Sequence, residues 1–192
     1  MNDLTAYGHS WVQGDGASQP ERRFVDVAAR TLDVVPTNLG VGGTATADVH
    51  ALLHREPPPV SRLYLVMTGL NDARLGGASP AALESYTAAL QVIFGAFYDV
   101  NPAGRTIAVE QPHLIDYSLH APHNRGSDAA IDAFNVGLRA VARRSARVVL
   151  ATVTGWDPPT MLAADTVHPN DAGHGQLARA VIDAVAASPD PD

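Results

Sequence analysis

Short apolar runs alternate with longer amphipathic ones along this chain. Residues 4–8 are apolar and stop at a glycine, and residues 34–39, 63–68, 106–109 and 148–153 have the same character. Brief apolar runs bounded by turn-forming residues mark strands buried on both faces. Between them, apolar residues recur every three or four positions, as on one face of a helix. Phe24, Val27, Ala28 and Leu32 align on a helix over 22–32, with Pro20 suited to its first turn. A shorter helix over 46–54 ends before the three prolines 57–59. Ser79 and Pro80 form a cap and first turn for a helix that aligns Leu83, Tyr86, Leu90, Phe94 and Phe97. Ser127 caps a helix carrying Ile131, Phe134, Leu138 and Val141 inward, and Asn170 caps a last one with Leu177, Val181 and Val185.

Five such strands separated by helices imply a parallel sheet covered on both faces. Right-handed crossovers then make it a three-layer α/β/α domain. The expected domain spans 1–187, with 188–192 as a disordered tail. Ligands of such sheets bind beyond the carboxyl ends of the strands. Ser10 follows the first strand, Gly43 the second, Asn71 the third, and Asp165 and His168 the fifth, so all five are expected at one edge. Segment 110–126, with Pro112, Pro122, His113, His120 and His123, follows the fourth strand at that edge and reads as a lid or substrate wall.

Those residue types carry acyl-transfer chemistry. A serine hydroxyl needs a base within hydrogen-bond reach to become a nucleophile. His168 is the candidate base, because Pro169 after it favours extended backbone and lets the ring project from a loop. Asp165, three residues earlier, can accept from the other ring nitrogen. A tetrahedral intermediate also needs preplaced donors for its oxyanion. The Ser10 amide, the Asn71 side chain and an amide of the glycine-rich turn can supply them; Gly43 is preferred in that turn, with Gly40 and Gly42 as alternatives. His9, Asp72 and His113 stand on the same loops and are expected to touch substrate.

Composition narrows the reading. A chain of 192 residues suits one domain with a full core. It has no cysteine, which excludes disulfides, a thiol nucleophile and zinc sites built on sulfur. All 13 basic residues are arginine and the net charge is −7; the densest basic group, Arg139, Arg143, Arg144 and Arg147, reads as the outer face of one helix, so nucleic acid is not an expected partner. No apolar run approaches the ~18 residues that cross a bilayer, so no membrane partner is expected either. The N-terminal residues show no secretory pattern, which makes the cytoplasm the expected compartment unless a leader has been trimmed. His113, His120 and His123 find a carboxylate only in Asp116, and no metal site is expected. The Gly42–Gly43–Thr44 run lacks the lysine of a phosphate loop. The oligomeric state is not legible.

Four segments resemble, in order, the motif blocks of the SGNH hydrolase superfamily, the GDSL-type esterases and lipases: Gly8-His9-Ser10 followed by Gly14 and Gly16; Asn38, Gly40, Gly42 and Gly43; Gly69, Asn71 and Asp72; and Asp165, His168 and Pro169. The resemblance spans nearly the whole chain. It implies a flavodoxin-like fold, Ser10 as nucleophile, His168 as base, Asp165 as its partner, and Ser10, Gly43 and Asn71 as the oxyanion hole. It implies hydrolysis of a small-molecule ester, small or carbohydrate-linked, through an acyl-enzyme and without a cofactor. His9 stands where the family has an aspartate that supports the neighbouring loop, which opens the possibility of a loop sensitive to pH near neutrality. Two other outcomes remain open from the residues: an acyltransferase that uses the same acyl-enzyme with a non-water acceptor, and a non-catalytic binding module on the same fold.

Overall fold

The computed structural model describes residues 3–188. Five parallel strands form one sheet in the order β2-β1-β3-β4-β5: β1 (Asp3–Gly8), β2 (Val35–Asn38), β3 (Leu63–Met67), β4 (Arg105–Val109) and β5 (Val148–Ala151). This is the flavodoxin-like doubly wound order. The central strands β3 and β4 are buried throughout, as strands with helices on both faces must be. Of the expected tail, 189–192 lies outside the described residues; Ser188 still donates its amide to Val185.

Eight helices surround the sheet among the described residues: α1 (Ser10–Gln13), α2 (Phe24–Thr31), α3 (Thr46–Arg55), α4 (Leu70–Gly76), α5 (Pro80–Val100), α6 (Asp128–Ala142), α7 (Pro158–Met161) and α8 (Asp171–Ala186). α2 packs on α8 in one layer, and α3, α5 and α6 pack in sequence in the other. The three expected caps form: Ser79, Ser127 and Asn170 accept from the amides of Ala82, Ala130 and Ala172. The expected helix over 22–32 starts later, at Phe24, because residues Pro20–Arg22 make a separate 3-10 turn and Arg23 is extended. No helix among the described residues is long and apolar enough to cross a membrane.

β1 can end against β3 only because residue 8 is glycine. Its φ is +154°, and a Cβ there would stand 2.1 Å from the Met67 carbonyl oxygen. The chain then turns directly into α1, so Ser10 is the first residue of a short helix and not a loop residue. Asn71 likewise lies in the first turn of α4.

Candidate active site

His9 caps α1. Its Nδ1 accepts from the Trp11 amide at 3.3 Å, so the ring proton lies on Nε2 and donates to Gln111 Oε1 at 3.1 Å. The ring has no exposed surface. Burial pushes its pKa down to about 3, against the hydrogen bond that the ring donates to Gln111, and the nearby His168 and Arg74 act in the same downward direction. Two expectations change here. A fully enclosed His9 does not contact substrate, and it does not titrate near neutrality. It serves as a neutral N-cap acceptor for α1.

The turn after β2 is laid over α1 by its own polar groups. Val41 donates its amide to the Gly8 carbonyl at 2.9 Å, and Asn38 Nδ2 donates to Val12 at 2.6 Å. The Gly40 amide is committed to Asn38 Oδ1 and the Gly42 amide to Gln13 Oε1. Gly43 has φ +80°, and the space where its side chain would stand is open to 4 Å. Asn71 is buried and reaches the same turn, its Nδ2 donating to the Thr44 carbonyl at 2.9 Å. Gly43 and Asn71, expected to act together, are therefore brought together.

Asp72 is not. Its carboxylate accepts from both the amide and the hydroxyl of Thr46 at 3.0 Å, pinning the start of α3 to α4. Burial raises its pKa, partly opposed by those Thr46 hydrogen bonds. Asp72 is a brace between helices, its carboxylate engaged with Thr46.

The second half of the site is a tight turn before α8. His168 Nδ1 lies 2.6 Å from Asp165 Oδ2, while Asp165 Oδ1 accepts from the amides of Val167 at 3.0 Å and His168 at 2.9 Å. Burial alone would raise Asp165, but the His168 amide and ring and the Val167 amide together hold it below the usual carboxylate range. The turn places Thr166 at φ +65°, strained for a β-branched residue. Its base is tied by the Ala163 amide to the His168 carbonyl at 2.7 Å and by a bridge between Leu162 and Pro169.

Several contacts join the two halves. The indole Nε1 of Trp11 donates to the Val167 carbonyl at 3.0 Å. Gly16 approaches so closely that a Cβ there would stand 2.2 Å from the Pro169 oxygen and 3.1 Å from His168 Cβ. Ser18 binds Asp171 through amide and hydroxyl, and His174 Nε2 donates to the Asp15 carbonyl at 3.1 Å. The Asp15 carboxylate stands 3.9 Å from His168 Nε2, so the imidazole has an acid on each side. The segment after Ser10 and the turn carrying His168 thus form one stitched unit.

His113 lines a cavity at the carboxyl end of β4. Its Nε2 lies 2.9 Å from Asp132 Oδ1, and its carbonyl accepts from Trp156 Nε1 at 3.0 Å. Segment 110–126 is anchored as a wall: Arg125 donates its amide to the Arg74 carbonyl, Arg74 Nη2 donates to Leu119, and the Tyr117 hydroxyl donates to Asp128. Among the described residues no three His, Cys, Asp or Glu side chains are grouped to hold a metal ion. Trp11, Asp15, Gln111 and Trp156 escape a motif-based reading. The one signal in the sequence is that Trp11 and Asp15 lie within a few residues of Ser10.

Two cavities flank the centre. One of about 210 Å³ lies between the end of β1 and α3, lined by Leu39, Val41, Val49 and Leu52. The other, of about 270 Å³, lies beyond β4 and β5, between α6 and Trp156.

The sequence model of the GDSL-like lipase/acylhydrolase family matches residues 6–176. No curated protein matches the sequence. Solved structures share the fold at low identity. An alpha/beta hydrolase from the metagenome of Lake Arreo, Spain, is 21% identical with a TM-score of 0.71, covering 95% of this chain and 94% of its own. A psychrotrophic esterase, EstA from Pseudoalteromonas sp., is 17% identical with a TM-score of 0.69, covering 97% and 98%. An acetyl xylan esterase from Geobacillus stearothermophilus is 21% identical with a TM-score of 0.64, covering 93% and 92%.

Proposed function

The chain belongs to the GDSL-like lipase/acylhydrolase family, a family of ester hydrolases, and from that premise we propose that it cleaves a small or carbohydrate-linked ester through an acyl-enzyme on Ser10. His168 Nε2 takes the Ser10 proton as Oγ attacks the ester carbonyl. Asp165 holds the ring in the tautomer with Nδ1 protonated and stabilises the imidazolium that forms. The negative oxygen of the tetrahedral intermediate is met by the Ser10 amide, the Gly43 amide and Asn71 Nδ2. His168 then protonates the departing alcohol oxygen. Water, deprotonated by the same nitrogen, attacks the acyl-enzyme and releases the acid.

The observation that carries this reading is the 2.6 Å contact of His168 Nδ1 with Asp165 Oδ2, in a turn tied to the nucleophile's neighbour Trp11. Gly43 is assigned within its turn because the amides of Gly40 and Gly42 are already engaged. A non-catalytic reading would rest on His9, and His9 still caps the helix that begins at Ser10.

Ser10→Ala tests the proposal. It is expected to lower turnover of p-nitrophenyl acetate by ~10⁴-fold or more, and to abolish labelling by a fluorophosphonate that modifies the wild-type chain. An unchanged rate in the variant, or a wild-type chain that resists the label, overturns it.

A further inference from the structure

The larger cavity is built from residues that touch both sequence neighbours of Ser10. Gln111, on one wall, accepts from His9 at 3.1 Å. Trp156, on another, stacks on Trp11 with ring centroids 5.4 Å apart. The cavity lies at the carboxyl ends of β4 and β5, linked to Ser10 through His9 and Gln111 on one side and through Trp11 and Trp156 on the other.

Its lining selects a chemistry. Glu110 is buried, and one of its oxygens accepts from Arg139 Nε at 2.5 Å. The pair leaves no net charge to draw a phosphate, a carboxylate or an ammonium. It does combine an acceptor carboxylate with a donor guanidinium at one spot, which matches two adjacent hydroxyl groups. Trp156 adds an apolar aromatic surface, and Thr152 adds a hydroxyl at the exposed rim. Pro112, Val153 and Pro158 also line it, so polar groups and apolar faces alternate around the cavity as they do around a sugar ring. At about 270 Å³ the cavity falls just under the roughly 300–1,000 Å³ of sites for drug-sized ligands, a size for one sugar ring.

We propose that this cavity binds the alcohol portion of the ester, and that this portion is a neutral sugar whose vicinal hydroxyls are held between Arg139 and Glu110 against Trp156. The proposal rests on Ser10 as nucleophile, and it assigns the acyl portion to the opposite flank of the site.

Matched acetates test it. Initial rates are measured for the full chain with p-nitrophenyl acetate and with mono-O-acetylated methyl glucopyranoside. Arg139→Gln removes the donor, and Thr152→Tyr fills the cavity from its exposed rim while leaving the Glu110–Arg139 pair intact. Both variants are expected to lower kcat/KM for the acetylated glucoside by about ten-fold or more, mainly through KM. Both are expected to leave p-nitrophenyl acetate within about two-fold. An unchanged glucoside rate in Thr152→Tyr overturns the proposal, and so does an equal fall on both substrates. If wild type hydrolyses the aryl ester but not the glucoside, this inference fails and the Ser10 mechanism stands. If it hydrolyses neither and resists the fluorophosphonate, both fail.

Discussion

Trp11 Nε1 donates to the carbonyl oxygen of Val167 at 3.0 Å, across 156 positions of sequence. Trp11 directly follows Ser10 and Val167 directly precedes His168, so one hydrogen bond ties the neighbours of both residues. The indole is fully buried and also stacks on Trp156, which in turn donates to the His113 carbonyl. The segments carrying Ser10 and His168 and the segment after β4 share this spine.

Trp11→Phe keeps an aromatic ring but removes the N–H, leaving the Val167 carbonyl without that donor. It is expected to lower kcat about ten-fold with KM nearly unchanged, since small errors in placement of reacting groups are costly. Loss of packing and of the bond should cost ~1–3 kcal/mol of stability. A role exercised through His168 predicts that the same change has no further effect on rate in a His168→Ala background. Steady-state kinetics on the four chains of that cycle decide it; additive losses would show that Trp11 acts elsewhere.

Asp165→Asn preserves shape while removing the charge and turning an acceptor towards His168 Nδ1 into a donor. The ring is then held with its proton on Nε2, the tautomer that cannot accept from Ser10. Turnover should fall ~10³- to 10⁴-fold with little change in KM. In the wild type Asp165 lies below the usual carboxylate range, so its charge persists on acidification until the pH drops through that depressed value. Loss of rate between pH 7 and 5 should therefore not follow protonation of Asp165, as a pH–rate profile can establish.

His9 makes stability depend on pH with a defined sign. Its folded-state pKa is about 3 against an ordinary 6.5, so the unfolded chain binds a proton that the folded chain refuses. Stability is thus lost as pH falls from about 6.5 towards 3, by up to ~1.4 kcal/mol per unit for one such group. His174, also lowered by burial, acts in the same direction. His9→Asn retains a capping acceptor without a titrating ring. Its melting temperature is expected to fall less steeply over that range than the wild type's, and parallel curves would contradict the burial effect.

Gly16→Ala should separate the base from the nucleophile. The position combines φ +89° with a Cβ site 2.2 Å from the Pro169 oxygen, so the turn carrying His168 must shift. Activity on an aryl ester is expected to fall ~100-fold or more. Gly175→Ala is the control: it lies exposed within α8 with nothing within 4 Å of its Cβ site, and should keep full activity and gain up to ~1 kcal/mol from helix propensity. Equal behaviour of the two variants would refute the close-approach argument.

Much of the fold was legible because its signals are local. Four of the five strands lie in largely apolar runs, with β2 (Val35–Asn38) the exception, and the caps at Ser79, Ser127 and Asn170 sit where a polar residue meets an amphipathic period. The helices α1, α4 and α7 were not legible. Four to seven residues hold too little of the 3.6-residue period to register, and these helices are defined by how the chain leaves a strand. Gly43 and Asn71, read on separate loops, meet at one turn, whereas Asp72 and His9, read as substrate contacts, are engaged with protein partners. Their side chains turn inward, to Thr46 and to Gln111, and a residue's position along a loop carries no information about that direction.

Sequence alone determined the alternation of strands and helices, and with it the edge at which Ser10, Gly43, Asn71, Asp165 and His168 gather. It also determined the Asp165–His168 pair, because three residues and a turn suffice to close it. Tertiary structure decided what surrounds them: the neutral buried His9, the Trp11–Val167 strut, the closeness of Gly16 to Pro169, and the cavity between Glu110, Arg139 and Trp156. Each of these is a contact between segments distant in sequence. Local propensity cannot encode such contacts, and only packing of the layers against one sheet brings the partners within reach.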